Sequence, residues 1–299
     1  MIPVVIGITI LTFLIIHLIP GNPAQVILGI KATPDSLAAM TKRMGLDKPL
    51  WVQFWIFLKN LASGNLGESL VYRVPIMELI TRRLPVTLFL SGYAAVLAIV
   101  MAVPLSLLAA LKRDTLVDTI IRAIMMFFLS TPSFWIGIIL LILLGIKLPV
   151  FPIGGVGKNF TERLYYLFLP ALTMALNMAA VLTRNLRDGI ITTLSAEHVA
   201  FARAKGLREG LVLIKHVLRN SMLSTLTVLG VEMSWLVGGS VIVESVFALP
   251  GVGWTMVQAI MGRDYPVVQG LTLTYGILVS IVYLTIDGIY MLLDPRVSM

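Results

Sequence analysis

The sequence predicts an all-α polytopic membrane protein with six transmembrane helices and a small external helical subdomain. Three observations lead there. Of the 299 residues 58% are hydrophobic and only 13% charged, against about 25% charged in a soluble domain. Long uncharged runs recur, each near the roughly 20 residues needed to cross a bilayer. The Lys and Arg behind the net charge of +8 gather in loops between those runs, where the positive-inside rule explains them without a nucleic-acid partner. Cysteine is absent, which excludes a disulfide framework, a thiol nucleophile and a Cys-based metal site. The sequence contains no internal repeat and no low-complexity stretch.

The elements follow in order. Residues 1–20 form the first predicted transmembrane helix, apolar except for His17, which reads as an interface residue because no second His or acid lies nearby. The run lacks the basic n-region and A-x-A site of a secretory leader. Residues 21–83 are a soluble, helical insert. Thr33-Pro34-Asp35 marks a helix start and Gly45 its stop. Leu50, Trp51, Phe54, Trp55, Leu58 and Leu61 then recur at helical spacing, as a small core or an interfacial face. Residues 84–299 hold five further spans, at about 84–111, 123–146, 164–183, 221–243 and 265–293. Pro132 and Pro170 lie inside two of them, Glu232 inside the one at 221–243, and Asp287 near the end of the last. Intramembrane prolines kink helices that their neighbours then accommodate. Six spans put both termini on one side, together with the short Lys112-Arg113 loop and the long basic segment 184–220. The positive-inside rule makes that side the cytoplasm. The 21–83 insert is then external, since long segments translocate largely regardless of charge.

The most polar stretch of the second half is Leu194–Asn220, LSAEHVAFARAKGLREGLVLIKHVLRN, and seven Lys/Arg fall between Arg184 and Arg219. Ser195 suits a helix N-cap, and Glu197 places a negative charge in the first turn. Ala196, Ala200 and Ala204 fall on one helix face. Gly206 is the expected stop, and a second amphipathic helix is expected from Arg208 to Arg219. On pattern alone, an ordinary basic loop with helix-forming alanines accounts for this stretch equally well.

Enzyme chemistry is not legible. His17, His198 and His216 form no metal-ligand spacing, and GGVGKN at 154–159 is not a Walker A motif, so no catalytic, metal or cofactor residue is expected and ATP is not expected to bind this chain. LSGY at 90–93 lacks the first glycine of a nucleophile turn. Glu232 is costly inside a span. It either faces a water-filled path or pairs structurally with a neighbouring helix. Gly238, Gly239 and the run ESVFALPGVG, Glu244 to Gly253, form a second constellation. Pro250, Gly251 and Gly253 break regular structure, as a re-entrant or gate segment lining a cavity or as a plain external loop.

EHVAFARAKGL followed by HVLRN resembles the cytoplasmic coupling loop, the EAA loop, of bacterial ABC importer permeases, with the dipeptide/oligopeptide/nickel family the nearest match. LIPGNPA resembles that family's signature after its first span. GLDKPLWVQFW with GNLGES resembles its external segment, and GGSVIVESVFALPGVG with RDYPVVQG the stretch between its last two spans. LLDPR resembles its ending. Ser224 departs from the pattern, standing near the place of a common proline. The resemblance covers nearly the whole chain, and the long first insert points to the B-type partner of two permeases.

It implies a type I ABC importer permease fold in the bacterial inner membrane, forming half of a path for dipeptides or oligopeptides. Nickel, another metal chelate or glutathione are the alternatives. A secondary transporter, which would need ion sites at Glu232 or Asp287, is the rival class. The implied partners are the lipid bilayer, a second homologous permease in a heterodimer, two ATP-binding subunits carrying ATP and Mg, and an extracytoplasmic substrate-binding protein. The implied ATPase-coupling residues are Glu197, Ala200, Ala202, Arg203, Ala204, Gly206 and Leu207. The implied path or gate residues are Glu232, Gly238, Gly239, Glu244, Pro250, Gly251 and Gly253.

Overall fold

The computed structural model describes residues 2–18, 33–43 and 45–293. The PGNPA run after the first helix and the DPR ending lie outside the described residues, as do the side chains of His17 and Asp287. In chain order the helices are α1 (Ile2–Leu18), α2 (Pro34–Arg43), α3 (Leu50–Ala62), α4 (Ile76–Leu111), α5 (Leu116–Ser130), α6 (Ser133–Leu140), α7 (Phe160–Tyr166), α8 (Phe168–Leu194), α9 (Glu197–Ala204), α10 (Glu209–Leu211), α11 (Arg219–Val246), α12 (Val252–Met261) and α13 (Tyr265–Leu293). Wide π-type turns continue α6 through Leu141–Lys147 and join α10 to α11 through Val212–Leu218. Among the described residues the only strand-like pairing is one isolated bridge, Glu68 to Pro75.

Two unbroken stretches, Ile76–Leu111 and Tyr265–Ile286, are long and apolar enough to cross a membrane. Three bent pairs bring the number to five if each pair is one span: α5 with α6 and its extension (104°), α7 with α8 (60°), and the two halves of α11 (50°). The first bend falls where Pro132 interrupts α5 and α6, because proline removes a donor and restricts the residue before it. The helix that carries the second predicted span therefore begins at Ile76, ahead of Leu84, and the third predicted span runs over a bent helix pair.

The chain divides into two compact units. One comprises the described residues up to Pro85 with Gly251–Ser280. Its core gathers Ile76, Leu79 and Ile80 with Val252, Ala259, Val267 and Leu271. Phe13 of α1 packs on Phe54 and Phe57 of α3, with ring centroids 5.1 and 5.9 Å away. No residue of α3 is buried, and Trp51 and Trp55 stand exposed. The aromatic run thus keeps an exposed face beside the Phe13 contact and forms no small core of its own.

The second unit comprises Val86–Pro250 and the described residues from Ile281 on. It is built around α8, which packs against α5, α6 and α11. Ala94, Ala98 and Ala102 of α4 and Ala171, Ala175 and Ala179 of α8 repeat every fourth residue and share one buried cluster. Small residues at that spacing let helices approach closely where lipid gives no hydrophobic drive for association. The GGVGKN loop has a local explanation. Asn159 Oδ1 accepts from Glu162 N at 2.8 Å, and the Glu162 carboxylate accepts from Lys158 N at 2.7 Å. This is a reciprocal cap that starts α7. Gly157 sits at φ +69°, where a Cβ would stand 2.6 Å from Arg163 N. The glycines there serve the helix entry.

Candidate functional site

The polar stretch folds as a helix, a left-handed turn and a longer helix. α9 starts one residue later than its pattern suggests. The cap position is Ala196, and no side chain caps it. Ser195 instead ends α8, its Oγ donating to the Thr192 carbonyl at 2.8 Å, which corrects the expected Ser195 cap. Val199 and Ala202 are buried in a cluster with Leu186, Ile190, Val212 and Val217. Glu197, Ala200, Phe201, Arg203 and Ala204 are exposed, whereas Ala196 is half-buried. The outward face of α9 is therefore centred on Ala200, Ala204 and Phe201, and Ala202 supports it from behind.

The Gly206 stop holds. Its φ is +76°, its N–H donates to Arg203 O at 2.9 Å, and Leu207 N–H donates to Ala202 O at 3.4 Å. That pair of bonds is the Schellman pattern, in which the residue after the cap adopts a left-handed conformation. Arg203 reaches across the turn to Glu209, with Nη2 at 2.5 Å and Nε at 3.2 Å from its carboxylate oxygens. The guanidinium holds the Glu209 carboxyl below the ordinary carboxylate range, and the carboxylate raises Arg203 in turn. Both groups are exposed, so the pair is a weak brace. Nδ2 of Asn220 lies 3.1 Å from Nε2 of His198 and donates to His216 O at 2.8 Å, tying α9 to the next helix. That helix does not end at Arg219. From Glu209 it continues through the π-type turns into α11 and on to Val246, so the separate second helix gives way to one continuous one.

Glu232 lines a cavity of about 520 Å³ in the second unit. Hydroxyls of Ser130, Thr131 and Ser133 stand at the α5–α6 break, with Asn177 on α8 and Trp235 on α11. No hydrogen bond or ion pair reaches Glu232 among the described residues, so no structural partner accounts for it there. Gly239 lines the same cavity and, with Gly238, a neighbouring one that also touches Trp235 and Tyr283. A Cβ on either glycine would meet nothing within 4 Å. Both sit where α11 bends.

Glu244 is placed differently. It is fully buried, its carboxylate accepts from Thr87 Oγ1 at 2.7 Å, and it lines neither cavity. It braces α11 to α4. Pro250 lies in the turn after α11, where Ala248 takes φ +48°. Gly251 is the N-cap residue of α12, and Gly253 is buried in that helix. The segment after Gly251 is thus a 10-residue helix and not a plain loop.

Two buried acids escaped the sequence reading. Asp118 on α5 takes a two-pronged bond from Arg187 on α8, both contacts at 2.7 Å, and accepts Asp114 N at 3.1 Å. Asp264, at the entry of α13, accepts from Ser69 Oγ at 2.5 Å and from the N–H groups of Leu70 and Val71 at 3.1 Å. Each binds groups far away in sequence, so the only local signal was an acid at the start of an apolar helix. Among the described residues no group of His, Cys, Asp and Glu could hold a metal ion.

The family described as "Binding-protein-dependent transport system inner membrane component" matches residues 102–299, and the matching N-terminal family covers residues 1–91. The oligopeptide transport system permease protein AppB of Bacillus subtilis is 36% identical over 99% of this chain and 96% of its own length. The dipeptide transport system permease protein DppB of Escherichia coli K12 is 32% identical over 99% and 95%. A solved structure of the methionine ABC transporter MetNI, in an inward-facing conformation, shares the fold at TM-score 0.61 and 17% identity, covering 73% of this chain and 97% of that one. With the family matched over two-thirds of its residues and full-length relatives above 30% identity, the chain is an integral membrane protein that belongs to the inner-membrane permease family of binding-protein-dependent transport systems.

Proposed function

We propose that this chain is one permease of an ATP-driven importer of dipeptides or oligopeptides, forming half of the path beside a homologous second permease. The observation that carries the reading is the end-to-end similarity to relatives named as oligopeptide and dipeptide transport permeases. In this reading two ATPase subunits, which bind ATP and Mg, dock on the coupling loops of the two permeases, one of them here on the outward face of α9 and the Gly206 turn. Glu197, Ala200, Ala204 and Leu207 supply the surface, Ala202 backs it, and Arg203 braces the turn. An extracytoplasmic binding protein delivers substrate, and segment 184–220 faces the cytoplasm with both termini. Glu232, Gly238 and Gly239 line the path. Glu244, Pro250, Gly251 and Gly253 shape the end of α11 and the entry to α12 as part of the gate. Alternating access follows when closure of the ATPases moves α9 and the helix joined to it.

The test is uptake by cells expressing the chain with its neighbouring transport genes. Labelled dipeptide should accumulate in an ATP-dependent way, and nickel chelates and glutathione should not compete. Competition by either would reassign the substrate. Glu232→Gln should leave assembly intact and change the uptake rate, whereas normal uptake by a stable variant would remove Glu232 from the path.

A further inference from the structure

A second cavity in the same unit, of about 320 Å³, lies between α5 and α8 beside the Asp118–Arg187 pair. None of the roles above uses it. Arg122 and Arg184 stand on its wall. Arg122 is half exposed and 3.4 Å from Asp118. Arg184 is exposed and has no hydrogen bond or ion pair among the described residues. Thr183, only 2% exposed, lines the same cavity, and its Oγ1 has no hydrogen-bond partner. Helical threonines usually donate to the carbonyl four residues back, as Thr173 and Thr192 do on this helix. Thr183 departs from that habit, with its hydroxyl buried in the same cavity wall that Arg122 and Arg184 line. The local charges are Arg122, Arg184 and Arg187 against Asp118 and Asp188, three positive to two negative. The remaining wall is apolar, with Ile121, Met125, Met126 and Leu129. Along the outside of α5, Leu116, Ile120, Ile124 and Phe127 are exposed at helical spacing.

We propose that this cleft binds one anionic phospholipid. Its phosphate is taken by Arg122, Arg184 and the Thr183 hydroxyl, and its acyl chains lie against the two methionines and Leu129. Basic pockets between membrane helices suit lipid phosphates, and flexible methionines fit chains of irregular shape. A soluble anion would gain nothing from the apolar wall.

The experiment is native mass spectrometry of the full chain in neutral detergent, offered phosphatidylglycerol, phosphatidylcholine or inorganic phosphate. One phosphatidylglycerol should be retained per chain in preference to phosphatidylcholine, and inorganic phosphate should not displace it. Arg184→Gln should weaken retention about tenfold, as expected for loss of one charge-assisted bond. Thr183→Val, which keeps the side-chain shape, should weaken it several-fold without lowering the unfolding temperature. Lys158→Gln, in the loop before α7, should change nothing. Equal retention of both lipids would overturn the proposal, as would retention indifferent to Arg184→Gln and Thr183→Val. Displacement by inorganic phosphate would make the cleft a site for soluble anions instead. If Arg184→Gln loses the second permease on copurification while lipid retention is unchanged, the cleft is a subunit contact and the proposal fails.

Discussion

At the scale of single residues, Gly206 carries the sharpest test. Its backbone lies where only glycine and, less easily, asparagine sit without strain. A Cβ there would meet nothing within 4 Å in this chain. A valine therefore pays only backbone strain within the chain, about 1–3 kcal/mol, and any further loss comes from a partner surface. Gly206→Val should insert normally but recover less ATPase on pulldown and transport less. Gly206→Asn separates the causes. Recovery near wild type would mean that the turn matters, whereas a loss equal to valine's would mean that the partner needs the space. Full recovery and full transport in the valine variant would leave Gly206 as a loop residue only. This glycine was legible in the sequence because a helix stop is a local event. The Asp118–Arg187 and Asp264–Ser69 contacts were not, since their partners lie 69 and 195 residues apart and nothing local to an aspartate says what it will meet.

At the scale of elements, the long apolar helices were legible from hydropathy and their breaks were not. The Pro132 break was visible as a proline, but its 104° bend depends on how α5 and α6 pack on α8. The 208–219 stretch misled because its charged residues suggest a separate surface helix, whereas Val212 and Val217 are buried and the backbone runs on. The pair of α5 and α8 also supports a stability test. Asp118 is fully buried and Arg187 nearly so. Removing one partner of such a pair leaves an uncompensated charge and costs about 3–5 kcal/mol. Asp118→Asn should therefore lower the unfolding temperature in detergent markedly. Asp118→Leu combined with Arg187→Met should regain most of the loss, since buried pairs often break even against apolar side chains. A double variant no better than the single one would show that the pair does more than offset its own burial.

At the scale of the whole molecule, the proposed topology places Gly64 outside and Gly210 inside. An alkaline phosphatase reporter fused after Gly64 should be active, and one after Gly210 should be silent. The reverse result would invert the orientation and move α9 away from any cytoplasmic ATPase. The feature that connects the scales is the continuous but bent helical stretch from Glu209 to Val246. At ~1.5 Å per residue its path is on the order of 55 Å, bent by 50° within α11. In the coupling role proposed above it would act as a crank, with its handle at the Gly206 turn and its elbow at Gly238-Gly239, beside the cavity that holds Glu232. In that role a push on the handle has a continuous backbone route as far as the bend, beside any chain of side-chain contacts. Slack could enter only at the π-type turns of Val212–Leu218 and at the elbow, so those two places set how much of each stroke is felt at the cavity.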